Sequence, residues 1–93
     1  MTDSFTIHSE YRLSDYTICQ QLEEETLLMN AVTGDTFGLD AFSAQIWSLM
    51  QTESTMATVA DLIAPLLDVE RPQLESDLLS FAQQLISRGL LEH

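Results

Sequence analysis

The stretch Leu27-Leu28-Met29-Asn30-Ala31-Val32-Thr33-Gly34-Asp35-Thr36-Phe37-Gly38-Leu39-Asp40 constrains this chain more than any other. Two short apolar runs flank a turn that holds Gly34 and Asp35, the signature of a β-hairpin. The second run ends at Asp40. Beyond it, Phe42, Ile46, Leu49 and Met50 recur at helical spacing over Ala41 to Met50. Asp40 is suited to accept hydrogen bonds from the free amides of that helix's first turn. A hairpin with few catalytic side chains, delivered straight onto a helical layer, suits a binding module whose working surface is its second strand.

Ninety-three residues make one domain with room for a modest core, and 45% apolar residues are enough to fold it. The charge is lopsided. Fifteen Asp and Glu oppose three Arg and no Lys, for a formal net charge of −12. A nucleic-acid-binding domain needs a basic footprint, and this field repels polyanions and anionic membranes alike. A basic or neutral polypeptide is tolerated or steered in. The single cysteine, Cys19, has no internal disulfide partner, which fits a reducing, cytoplasmic setting. Met1 to Ser9 has no signal-peptide pattern, and no apolar run approaches the ~20 residues of a membrane span.

The pattern predicts an α+β chain: a three-stranded antiparallel sheet followed by three helices. Residues 1–10 read as a loose arm whose removal leaves the domain intact, although Phe5 and Ile7 can also be read as an additional strand. Residues 11–93 form the domain. The strands are Thr17 to Leu22, Thr26 to Asn30 and Thr36 to Leu39, with Glu23-Glu24-Glu25 as a charged turn. The first helix covers Ala41 to Met50. The second begins near Thr58, where Thr58-Val59-Ala60-Asp61 resembles a capping box, and Pro65 kinks or shortens it. The third has Pro72 in its first turn and stops at Gly89, so that Leu90-Leu91 folds back on it. Leu74, Leu78, Phe81 and Leu85 form one stripe of that helix; Leu79, Ala82 and Ile86 form another. Together they cover roughly 160°, wider than the stripe of about 100° that a simple surface helix needs.

Few residues invite chemistry. Cys19 reads as a small strand residue, with no basic cluster or helix N-terminus near it in the sequence to activate a thiol. His8 and His93 lie near the termini and form no ligand set with Cys19. Glu23 to Glu25 lacks a calcium-loop pattern, and Gly34 and Gly38 do not make a phosphate loop. Trp47 reads as core. Neither catalysis, a metal nor a cofactor is expected. If the strands lie in sequential order, Thr36 to Leu39 is a sheet edge without proline or internal charge. Two readings stay open there: an edge too short to aggregate, or a docking edge for a peptide strand.

In order and spacing, these residues resemble the PqqD-like family, the RiPP recognition elements. The resemblance spans about Thr17 to Glu92. It rests on the hairpin Leu27 to Leu39 running into Asp40, on the helix with Ile46-Trp47, and on Thr58-Val59-Ala60-Asp61-Leu62. It rests also on Leu74-x-x-Asp77-Leu78-x-x-Phe81-x-x-x-Leu85-x-x-x-Gly89-Leu90-Leu91. Thr33-Gly34-Asp35-Thr36-Phe37-Gly38-Leu39-Asp40 looks most like the stand-alone leader-binding proteins of lasso-peptide clusters.

The resemblance implies a winged helix-turn-helix that binds peptide rather than DNA. A precursor leader peptide would add as a strand beside Thr36, Phe37, Gly38 and Leu39. It would sit against Leu74, Asp77, Leu78, Phe81 and Leu85 of the third helix, with either stripe able to face the cleft. A separate leader peptidase or other RiPP-modifying enzyme would then act on the presented precursor, with this chain a monomer. The chain departs from the family pattern at Pro65 and in its N-terminal arm.

Two alternatives share the fold. One is a winged-helix transcription regulator; the other is a small adaptor that binds a folded protein through the edge strand. Charge separates the first from a peptide binder, since Pro72 to Arg88 carries Glu75, Asp77 and one arginine. No affinity for duplex DNA is expected at physiological salt. Binding that weakens steeply with added salt, measured by fluorescence anisotropy, would contradict this.

Overall fold

The computed structural model describes residues 5–93. Nine elements follow in order: β1 (Arg12–Leu13), β2 (Thr17–Gln21), β3 (Thr26–Asn30), β4 (Thr36–Leu39), α1 (Ala41–Met50), α2 (Met56–Ile63), a 3₁₀ turn (Ala64–Leu66), α3 (Arg71–Ser87) and β5 (Leu91–Glu92). β2, β3 and β4 form an antiparallel meander in sequential order, and α1 to α3 pack on one face of it. This is the α+β order of three strands and three helices that the pattern predicts, and the winged helix-turn-helix that the resemblance implies. β1 and β5 form a separate antiparallel pair.

The sheet alternates as a half-buried sheet does. Thr26, Leu28 and Asn30 of β3 are buried, as is Leu39 of β4. Leu28 pairs with Cys19 on one side and with Phe37 on the other. The helices close the core with Ile46, Trp47 and Met50 from α1, Met56, Val59 and Ile63 from α2, and Leu74, Leu78 and Leu85 from α3. Tyr16, Ile18 and Leu22 stay exposed.

Asn30 ties the wing to the end of the last helix. Its Oδ1 accepts from the amides of Val32 (2.9 Å) and Thr33 (3.2 Å), which shapes the loop to β4. Its Nδ2 donates to the carbonyls of Arg88 (3.1 Å) and Gly89 (3.4 Å). The turn that receives it is a Schellman motif: Gly89 N–H donates to Ile86 O at 3.0 Å and Leu90 N–H to Leu85 O at 2.9 Å. Gly89 has φ +72°, and a Cβ there would sit 2.7 Å from Asn30 Nδ2. Both the backbone conformation and the close approach therefore require glycine.

Two readings of the sequence change. The second helix starts at Met56, capped by Thr55, whose hydroxyl accepts from Thr58 N–H (3.3 Å). Thr58 is thus inside the first turn, and its own hydroxyl donates back to Thr55 O (2.8 Å). The earlier start brings Met56 into the core, where it is fully buried. Pro65 shortens this helix, one of the two outcomes expected of it: α2 stops at Ile63 and Pro65 lies inside the 3₁₀ turn.

The expected arm, residues 1–10, is the second change. Met1 to Ser4 lie outside the described residues. Beyond them, Phe5 is 8% exposed and belongs to the core, and Ile7 packs against it. Ile7 O accepts from Ala57 N–H (2.8 Å), and Tyr11 N–H donates to Ser54 O (3.1 Å). The segment then enters β1, where Arg12 bonds Glu92 at 2.7 Å. Neither Phe5 nor Ile7 forms a strand.

Asn30→Ala should lower the unfolding free energy by at least about 2 kcal/mol, because it leaves buried groups unpaired at ~1–3 kcal/mol each. Urea titration measures this. Removal of residues 1–9 should cost roughly 2–3 kcal/mol for the lost burial of Phe5 and Ile7. An unchanged midpoint would contradict the packed segment.

Candidate functional site

Among the described residues β4 pairs with β3 alone, so its other side is open. The register fixes which groups that side offers. Asn30 N–H donates to Asp35 O (2.9 Å), so Asn30 points its backbone toward β4. By antiparallel alternation, Leu28–Phe37 and Thr26–Leu39 are the bonded pairs, and Met29–Thr36 and Leu27–Gly38 are not. The N–H and C=O groups of Thr36 and Gly38 therefore face outward. A Cβ on Gly38 would meet only Leu27 Cδ2, at 3.7 Å.

A groove of about 270 Å³ lies beside this edge, lined by Phe37, Phe42, Ser43, Ile46, Asp77, Phe81 and Gln84. Its floor is aromatic. The rings of Phe37 and Phe81 are tilted against each other with centroids 6.1 Å apart. Asp77 stands on the rim, where its Oδ1 accepts from Gln73 Nε2 at 2.9 Å. Near the Thr36 end, Arg88 lies 4.9 Å over the Phe37 ring and donates from Nη1 to Thr36 O at 3.3 Å. Asp40 sets the other end: its Oδ1 accepts from Ser43 N–H at 2.8 Å, which starts α1 directly after β4. That bond to the Ser43 backbone, reinforced by one to its side chain, holds the Asp40 carboxyl below the usual carboxylate range.

The predicted site residues divide into three groups. Thr36 and Gly38 lie on the open edge. Phe37, Asp77 and Phe81 line the groove. Leu39, Leu74, Leu78 and Leu85 are at most 2% exposed and support the groove from within the core. Their place follows from packing: α3 lies against α2 and β5, and its main apolar stripe joins the same core as Leu28 and Leu39 of the sheet. In the second stripe Ala82 is fully buried in the core, whereas Leu79 and Ile86 pack only partly against it.

Five residues at the groove and its edge were not among the predicted site residues: Phe42, Ser43 and Ile46 of α1, and Gln84 and Arg88 of α3 and its cap. A signal for the last two existed. Asp77, Phe81, Gln84 and Arg88 follow at i, i+4, i+7 and i+11, which is one helical face. It is a mixed polar and aromatic face, and a search for apolar stripes passes over it.

Other hollows are as large or larger but lack these features. One of about 300 Å³ is lined by Glu10, Tyr11, Arg12, Glu92 and His93; another, of about 390 Å³, adjoins Tyr11 and Glu53. Both have charged rims, and the strands beside them, β1 and β5, are only two residues long. Among the described residues no three His, Cys, Asp or Glu side chains gather to hold a metal. Cys19 is a free, exposed thiol. No helix among the described residues is long and apolar enough to cross a membrane.

Comparison with known proteins agrees with this geometry. Among solved structures, the chain resembles TbiB1 in complex with the TbiA(beta) leader peptide, at 34% identity and a TM-score of 0.80, over 87% of this chain and 94% of that one. It shares its fold with a lasso peptide synthetase B1 complexed with its leader peptide, at 22% identity and a TM-score of 0.81, over 91% and 100% of the two chains. No curated protein sequence matches it significantly. Residues 25–91 match the family model described as coenzyme PQQ synthesis protein D, PqqD. With the sheet, the edge and the three helices all inside or adjoining that span, the chain belongs to the PqqD family.

Proposed function

We propose that this chain is a RiPP recognition element: it binds the leader segment of a ribosomally made precursor peptide, of the lasso-peptide class, by strand addition to β4. The observation that carries the reading is the outward-facing backbone of Thr36 and Gly38 beside an aromatic groove. Main-chain hydrogen bonds set the register of the added strand, and the groove accepts its alternate side chains. The likeness to TbiB1, which was solved with a leader peptide, supports this occupant.

The role is non-catalytic. The chain acts as a cytoplasmic monomer and holds the precursor at high effective concentration for a separate leader peptidase or modifying enzyme. The net charge of −12 favours basic partners and disfavours the transcription-regulator reading. Arg71, at the start of α3, is already bonded to Asp61 (2.8 Å) and Glu75 (2.7 Å), so it adds little basic surface for a phosphate.

Selection from a displayed random-peptide library, followed by fluorescence titration of the selected peptides, tests the proposal. Gly38→Pro removes an outward donor and spares the bonds to β3, so the variant should stay folded and bind about tenfold or more weakly. A folded Gly38→Pro protein that binds as tightly as the parent would rule out this edge. Phe81→Ala should cost about 3–5 kcal/mol of folding stability, since the ring is 8% exposed and packed in the core as well as lining the groove. Thermal melting and peptide titration of the same variant separate the two effects.

A further inference from the structure

Arg88 differs from the other two arginines of the chain. Arg12 is bonded to Glu92, and Arg71 to both Asp61 and Glu75. Among the described residues, Arg88 has no carboxylate within ion-pair distance. In a chain with fifteen acidic residues, a guanidinium left without one is set apart by geometry rather than by scarcity of partners. It stands at the open edge, stacked over Phe37 and donating one hydrogen bond to Thr36 O.

That carbonyl is one of the outward acceptors of β4. A strand added to the edge needs it for its own N–H, and a guanidinium cannot stay in line with the same lone pair. Arg88 must then turn aside. Its stack on Phe37 can persist, because the ring face lies beside the ladder rather than in it. The five donors of the guanidinium then face the added strand, and a planar carboxylate is the group that satisfies them in pairs. The groove bears the opposite sign at its other end, where Asp77 stands on the rim.

We propose that Arg88 is a specificity residue of the groove: it takes the Asp or Glu side chain of the bound peptide at the position beside Thr36. The inference rests on the strand-addition reading above and adds the chemistry of one peptide position to it. In the free protein the same side chain occupies the edge acceptor, as charged residues at sheet edges do to discourage pairing with other chains.

The library selection tests it when repeated with Arg88→Glu and Arg88→Gln. Neither change touches the bonds from Asn30, which go to main-chain carbonyls. The parent should enrich peptides with Asp or Glu at one fixed position. Arg88→Glu should move that position to Lys or Arg and leave the others unchanged. Replacing the selected Asp or Glu by its amide should weaken binding to the parent about tenfold. It should leave binding to Arg88→Gln unchanged. Enrichment with no acidic position, or an acidic preference that survives in Arg88→Glu, overturns the inference and leaves strand addition standing. Failure of the parent to enrich any peptide overturns the strand-addition reading, and the assignment of Arg88 with it. The amide peptide on the parent protein needs no variant to fold: equal affinity for acid and amide refutes the role by itself.

Discussion

One buried amide coordinates the two halves of the fold. Asn30 ends β3, yet its side chain acts on both the hairpin loop and the C-terminal turn of α3. Each of its two polar atoms serves two partners. A residue with only donors or only acceptors cannot do this, because the loop offers amides and the helix end offers carbonyls. The separation of β4 from α3, and hence the width of the groove between them, is set at its Arg88 end by this side chain.

The parts of the fold legible in the sequence are those with local causes. Asp40 caps α1 from one residue away, and Gly89 stops α3 because the turn needs a positive φ. The hairpin is likewise a matter of a few adjacent residues. What escaped depends on distance along the chain. β1 and β5 are two residues each and meet across almost the full length of the sequence; no periodicity marks so short a pair. Phe5 is one aromatic in a polar stretch, and only the tertiary structure decides that it is buried. The capping threonine of α2 was misplaced because Thr55 and Thr58 carry the same chemistry, and the need to bury Met56 chooses between them.

The groove was half legible for a related reason. Its edge strand and its aromatic centre, Phe37 and Phe81, stand out in a linear reading. Its walls do not, because α1 contributes from a different segment and α3 contributes through polar residues. The leucines that dominate the α3 pattern are consumed by the core. An apolar stripe reports where a helix is buried, whereas a binding face on the same helix is marked by residues that remain partly in water.

The shortness of β4 has a kinetic consequence. Thr36 and Gly38 each present one donor and one acceptor, so an added strand gains at most four main-chain hydrogen bonds, at ~0.5–1.5 kcal/mol net apiece. A ladder of that size aligns a peptide without holding it for long. Residence time is then governed by what the side chains find in the groove, and release needs no unfolding of the sheet. Such an edge fixes the register of a strand on arrival and lets go once the side-chain contacts are lost.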